Sequence, residues 1–238
     1  MEVTYPKTGD ENLYVIEHAD KFTDWLYDQI VPYLRGNILE IGSGHGTYSR
    51  KIIRDFPDRM VVLSDIDRTY VDALRDEFGG PTTFVRRIDL GRRDDLTSLP
   101  CSIDSVFALN VLEHVQDDVC ALQNLCGVLN PGGRCVLLIP AHPFLYNCID
   151  ANVGHYRRYS RVSILERVSR TPFIIERLFS FNALSMLAWY WHGTVRRRAV
   201  LGTSAMKAFN ALVPLLRHAE KVLFRQRIGI SLVVVLRK

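Results

Sequence analysis

The sequence predicts an α/β protein built on a doubly wound, largely parallel sheet. Three observations predict it. Short apolar, β-rich runs alternate with stretches long enough for a helical crossover. A glycine loop follows the first of these runs directly. Each of the first four runs ends in a carboxylate or amide.

Taken in order, Phe22, Trp25, Leu26, Ile30 and Leu34 recur at helical spacing across 18–34, with Pro32 tightening the end. The period then changes. Runs at 38–41, 60–64, 83–88, 105–109 and 135–139 read as five strands. Right-handed crossovers between them place helices on both faces. Asn130-Pro131-Gly132-Gly133 reads as a turn between a helix over 117–129 and the fifth strand. A sixth strand is expected at 173–181 and a seventh at 228–236. The residues between them are mostly helical in pattern, with Met206, Phe209, Leu212, Val213, Leu216 and Leu223 on one face and Pro214 as a kink.

Composition bounds the function. A chain of 238 residues suits one large α/β domain over 1–238, with 1–35 as an N-terminal helical cap and 182–227 as a helical insertion or lid. With 47% hydrophobic and 24% charged residues the chain is globular. A net charge of +4 is too mild to argue for nucleic acid. The five cysteines have no C-x-x-C spacing and read as reduced thiols of a cytoplasmic protein, with no metal site. Residues 1–10 are polar, which predicts no secretory leader. No apolar run reaches the 18 residues of a membrane span.

The glycine loop carries the first functional signal. Asn37-Ile38-Leu39-Glu40-Ile41-Gly42-Ser43-Gly44-His45-Gly46 reads as a buried strand, an acidic residue and a loop that opens a helix. Such a unit brings backbone N–H groups close to a ligand. Dinucleotide folds use G-x-G-x-x-G, whereas Gly42, Gly44 and Gly46 give G-x-G-x-G. In open parallel sheets, ligands bind beyond the C-terminal strand ends. Those ends carry Glu40, then Asp65-Ile66, then Asp89-Leu90, then Asn110-Val111. Asp65, 25 positions after Glu40, can accept hydrogen bonds from both hydroxyls of a ribose. Asp67 reads better as a helix N-cap. Asp89, with the Leu90 backbone, can hold an adenine amine, and Glu40 can face a ligand ammonium.

These residues, with Leu112-Glu113-His114 and the Asn-Pro-Gly-Gly turn, resemble class I S-adenosylmethionine (SAM) methyltransferases over roughly residues 12–181. The resemblance implies the strand order 3-2-1-4-5-7-6 with the last strand antiparallel. It also implies SAM as cofactor, S-adenosylhomocysteine as product, and Glu40, Gly42, Ser43, Gly44, Asp65, Ile66, Asp89, Leu90, Asn110 and Val111 as its binding residues. His45 departs from the pattern and receives no role.

A second segment, 140–159, begins where the fifth strand ends. It is dense in histidine, tyrosine, arginine and aspartate. Gly154-His155-Tyr156-Arg157-Arg158-Tyr159 resembles a bacterial subgroup linked to glycosyltransferases or secondary metabolism. His155, His142 and Asp150 are the candidate acid–base residues, since imidazole titrates near neutrality. Tyr146, Arg157, Arg158 and Tyr159 are the candidate substrate residues. The competing reading is that Asp150 pairs with an arginine and braces the loop.

No N-P-P-Y, D-P-P-Y or Pro-Cys element follows the fourth strand, which disfavours DNA adenine or cytosine methylation. The expected function is metal-independent methyl transfer to an O or N atom of a small molecule. Alternatives are a lipid-linked or saccharide acceptor at a membrane surface, a SAM-binding partner protein without catalysis, and, less favoured, an NAD-dependent oxidoreductase. Trp189, Tyr190 and Trp191 near Arg196-Arg197-Arg198 suggest a lid or homodimer face more than a peripheral membrane contact.

Overall fold

A computed structural model describes residues 19–97, 99–197 and 203–238. Most of the expected N-terminal cap and Arg198 of the basic triplet lie outside those residues. The described chain forms two compact units. One contains Ile30–Ile139, Arg161–Leu178 and Val233–Lys238; the other holds the described residues up to Gln29, Pro140–Ser160 and Phe179–Leu232.

The sheet comprises β1 (Ile38–Ile41), β2 (Val61–Asp65), β3 (Thr83–Arg87), β4 (Ile103–Leu109), β5 (Leu129–Pro140), β6 (Ile174–Phe181) and β7 (Ser231–Arg237). Their order is β3-β2-β1-β4-β5-β7-β6, as the resemblance implies. β1 pairs in parallel with β2 and β4, β2 with β3, and β4 with β5. β7 runs antiparallel to β5: Gly132 N–H bonds Lys238 O at one end, and Ala141 N–H bonds Ile230 O at the other. Every residue of β1 and β2 is buried, which explains why these strands read as unbroken apolar runs rather than alternations. The crossovers are α2 (Thr47–Asp55), α3 (Arg68–Phe78) and α4 (Asp118–Val128). From β1 the chain winds outward to β2 and β3, then crosses back to β4, so the switch point lies between β1 and β4.

One expected turn is corrected. Residues 130–133 fall inside β5, not before it. Ile103 pairs with Leu129 while Ser105 pairs with Arg134, so the Asn-Pro-Gly-Gly segment bulges out of a continuing strand. Gly132 there has φ +75°, which glycine accepts without a Cβ clash.

The second unit includes α1 (Asp20–Ile30) up to Gln29, α5 (Cys148–Asn152), α7 (Ser185–Trp189) and α8 (Thr203–Ala219). α6 (Arg161–Val168) belongs to the sheet unit. α7 continues as a π-helix over Tyr190–Val195, and α8 over Glu220–Phe224. Phe22 packs edge-on against Phe209, and Trp25 lies 4.7 Å from Phe181, centroid to centroid. The buried Glu220 carboxylate accepts the backbone N–H groups of Asn182 (2.6 Å) and Ala183 (2.8 Å). The expected apolar face of α8 divides: Val213 is buried, whereas Leu212 and Leu223 face solvent. α8 runs through Pro214 unbroken. Among the described residues, no helix is long and apolar enough to cross a membrane.

Candidate active site

The parallel register lines up the strand ends of the sheet unit. Asp89 follows β3, Asp65 ends β2, Glu40 lies in β1 and Asn110 follows β4, in the lateral order of the strands. At the usual inter-strand spacing, four neighbouring strands span about 14 Å, enough for an adenosine joined to an amino-acid tail.

The loop after β1 is tightly built. Gly42 and Ser43 N–H both donate to Ser64 O at 2.8 Å, and Gly46 N–H donates to Ser43 O. Gly42 has φ +74°, and a Cβ there would lie 2.5 Å from Val111 Cγ2. The loop therefore requires glycine at 42 both for its conformation and for the approach of Val111. Gly44 N–H donates to Asp65 Oδ2 at 3.0 Å, and Asp67 N–H donates to Asp65 Oδ1 at 3.0 Å. Asp67 caps α3 through Thr69 N–H at 2.8 Å, the role its sequence position suggested.

Burial pushes the Asp65 carboxyl up, against the Asp67 and Gly44 N–H bonds. Glu40 is shifted further. Burial drives its carboxyl up to about 8, with the Ser49 and Ser43 hydroxyls offsetting part of the cost. Ser49 Oγ donates to Glu40 Oε2 at 2.6 Å. Glu40 thus lies buried among neutral hydroxyl partners.

Asp89 Oδ1 accepts Gly91 N–H at 2.9 Å, and Asp89 N–H is held by Asp95 Oδ2 at 3.0 Å. Leu90 O is held by Asn124 Nδ2 at 2.8 Å. Asn110 has φ +53°, in the left-handed region that asparagine tolerates better than most residues. Ser49, Ser64, Asp95 and Asn124 were not foreseen. Only Ser64 left a mark in the sequence, as a hydroxyl at the end of the apolar run Val61-Val62-Leu63.

The second unit organises residues 140–160. Asn147 caps α5, accepting Ile149 N–H at 2.9 Å, and Asp150 Oδ2 returns the bond to Asn147 N–H at 3.0 Å, a capping box. Asp150 Oδ1 also meets His155 Nδ1 and Arg158 Nε, each at 2.8 Å. Burial pushes the Asp150 carboxyl up, but His155 and Arg158 outweigh it and hold the group below its ordinary value. An ionised Asp150 accepts only, so Nδ1 of a neutral His155 carries the proton and Nε2 becomes the acceptor. Arg158 is buried, bonds Ala141 O at 3.1 Å and stacks its guanidinium 4.6 Å from the Trp189 ring centroid. Tyr159 is buried, and its backbone bridges to Ala141. Tyr146 is exposed and donates its hydroxyl to His155 O at 2.7 Å. Arg157 lies over the Tyr156 ring. His142, at φ +62°, lies against the exposed Phe144. The π-turn after α7 braces this loop. Cys148 Sγ contacts Gly193 O at 3.1 Å, and a Cβ on Gly193 would meet the Asn147 side chain at 2.2 Å.

Comparison with known proteins bears on the fold and on residues 39–135. Residues 39–135 match a family model described as a methyltransferase domain. The chain is 26% identical over 128 residues to the tRNA U34 carboxymethyltransferase of Alteromonas mediterranea, covering 48% of this chain and 37% of that protein. It is 26% identical over 135 residues to malonyl-[acyl-carrier protein] O-methyltransferase 1 of Ilyobacter polytropus, covering 54% of this chain and 46% of that protein. An S-adenosylmethionine-dependent methyltransferase from Mesorhizobium loti superposes with a TM-score of 0.59 at 17% identity, covering 90% of this chain and 96% of the other. The sheet order is that of the Rossmann-like methyltransferase fold, and residues 39–135 are similar to a methyltransferase domain. The chain spans less than half the length of the two curated relatives named.

Proposed function

We propose that the protein transfers a methyl group from SAM to an oxygen or nitrogen of a small-molecule acceptor in the cytoplasm, without a metal. The row Asp89, Asp65 and Glu40 beside the glycine loop carries this reading. SAM supplies an activated methyl on a sulfonium, so the protein has no electrophile to create. Its task is positioning, which can be worth several kcal/mol and up to about 7–11 in ideal cases.

The residues suit the cofactor. Asp65 holds its two carboxylate oxygens in place through Gly44 and Asp67 N–H, leaving further lone pairs for ribose hydroxyls. Leu90 N–H and the Asp89 carboxyl suit the edge of adenine. Glu40, buried with no cationic partner among the described residues, suits the ammonium of the methionyl tail. Gly42, Ser43, Gly44, Ile66, Asn110 and Val111 complete the wall. In this reading residues 1–238 act as one methyltransferase domain, with 1–35 as a cap and 182–227 as an insertion.

The acceptor reading rests on the Asp150–His155 pair. His155 takes the acceptor proton at Nε2 while Asp150 orients the ring. Tyr146, Arg157 and His142 are the further candidates for acceptor contact. Arg158 and Tyr159, both buried, support the loop.

The test uses SAM with a deuterated methyl group, host extract split into aqueous and lipid fractions, and mass spectrometry, with Asp65→Ala as control. A shifted aqueous species absent with Asp65→Ala supports the reading, and His155→Ala then lowers turnover while leaving S-adenosylhomocysteine affinity unchanged. A shifted lipid replaces the small-molecule acceptor with a lipid-linked one. Bound SAM with no shifted product overturns catalysis in favour of a cofactor-binding partner protein.

A further inference from the structure

The helices between β6 and β7 turn apolar side chains toward solvent at helical spacing. On α7 and its π-continuation these are Leu187, Tyr190, Trp191 and Val195, with Leu187 75% and Trp191 50% exposed. Positions 187, 190, 191 and 195 share one helix face. On α8 and its π-continuation they are Leu212, Leu215, Val222 and Leu223, with Leu215 66% and Leu223 71% exposed. The inward face is already served by Val213 and Glu220, both buried. Both helices are therefore apolar on a face that no described residue of the chain covers. Contiguous apolar surface of this kind marks an interaction site.

Charge identifies the occupant. Residues 182–227 hold eight arginines and lysines and one acidic residue, Glu220. Glu220 is buried and bonded to backbone N–H groups. The whole chain is only +4, so the remainder is net negative and the positive charge is concentrated here. Lys207, Lys221 and Arg225 are exposed on the same helical stretch as the apolar stripe. The Arg196 guanidinium lies 5.7 Å from the Trp191 ring centroid, a pairing suited to a boundary that is wet on one side and apolar on the other. A second copy would press two positive faces together. An anionic bilayer supplies both an apolar layer for the stripe and negative charge for its rim.

We propose that the helices of residues 185–195 and 203–224 dock the protein on an anionic lipid surface, with their exposed stripes entering the acyl boundary and the basic side chains at the headgroups. This goes beyond methyl transfer and does not depend on it, since a protein that binds no cofactor could still dock.

The test is sedimentation of the full chain with vesicles of phosphatidylcholine alone or mixed with phosphatidylglycerol. The expected result is partitioning at least ~10-fold stronger on the anionic vesicles, weakening as salt shortens the Debye length. Leu212→Ser/Leu215→Ser/Leu223→Ser is expected to lower partitioning by on the order of 100-fold, from the apolar area lost. An unchanged melting temperature and unchanged S-adenosylhomocysteine binding show that this variant is folded. On the unmodified protein, brominated acyl chains are expected to quench tryptophan fluorescence, and Trp191→Phe is expected to remove most of that quenching, because Trp25 is buried and Trp189 half-buried. Equal partitioning on neutral and anionic vesicles, no partitioning, or a dimer that the triple variant dissociates would overturn the proposal.

Discussion

Glu40 gives the sharpest quantitative consequence. Its carboxyl is raised from 4.5 to about 8 by burial, so at pH 7 about nine in ten molecules carry the proton. A ligand ammonium brought beside it favours the ionised form. If bound S-adenosylhomocysteine returns this pKa toward its ordinary value, binding at pH 7 releases up to about 0.9 proton, and affinity rises by up to about 50-fold from pH 6 to pH 8. The same shift sets the stability of the ligand-free protein. A raised carboxyl keeps its proton in the folded state while the unfolded chain loses it, so stability is fully present below 4.5 and falls as pH rises toward 8. The full shift amounts to about 5 kcal/mol, as an order of magnitude. The assay is titration calorimetry in two buffers of different ionisation enthalpy, across pH 6–8, on the wild type and Glu40→Gln. The variant is expected to bind without the Glu40 proton release and to show a flatter stability profile; the carboxyls of Asp65 and Glu220, also raised by burial, contribute to the residual slope. A buffer-independent binding enthalpy in the wild type, or equal release from Glu40→Gln, would refute the reasoning.

Two further substitutions probe the geometry. Gly42→Ala sets a Cβ 2.5 Å from Val111 Cγ2 at φ +74°, and is expected to cost about 1–3 kcal/mol of stability and to abolish S-adenosylhomocysteine binding, read by melting and titration. Asp150→Ala strips the buried Arg158 of its charge partner and uncaps α5; an expected loss of about 3–5 kcal/mol is read by denaturant unfolding, where a loss below 1 would assign Asp150 no bracing role.

The row of strand-end residues proposed to face the cofactor was legible because its determinants are local. Glu40 to Gly46 lie within one strand and its loop, and a parallel sheet carries every strand end to the same edge, so Asp65, Asp89 and Asn110 could be placed from strand positions alone. What supports them was not legible. Ser49 reaches Glu40 across nine positions, and Asn124 reaches Leu90 across 34, through tertiary packing that no local pattern encodes. The face of α8 failed for a related reason. Periodicity shows which residues share a side, not which side finds a partner, and Leu212 and Val213 are neighbours in sequence with opposite fates. Gly193 gave no sign either, because its requirement comes from Asn147, 46 positions away.

Two buried acids show how burial alone fails to predict charge. Glu40 and Asp150 are both almost wholly removed from solvent, yet they shift in opposite directions. Asp150 has an arginine and a histidine on one oxygen and a backbone N–H on the other, so its charge is balanced within the protein. Among the described residues Glu40 has the hydroxyls of Ser49 and Ser43, which can hydrogen-bond a carboxylate but not neutralise it. A carboxyl left protonated and partly satisfied in a buried strand is a standing cost to the fold. A ligand cation brought beside Glu40 would relieve that cost. The same comparison separates the two: Glu40, without a balancing charge among the described residues, fits the proposed ligand ammonium, whereas Asp150, already neutralised, holds His155 and Arg158 in the loop that carries them.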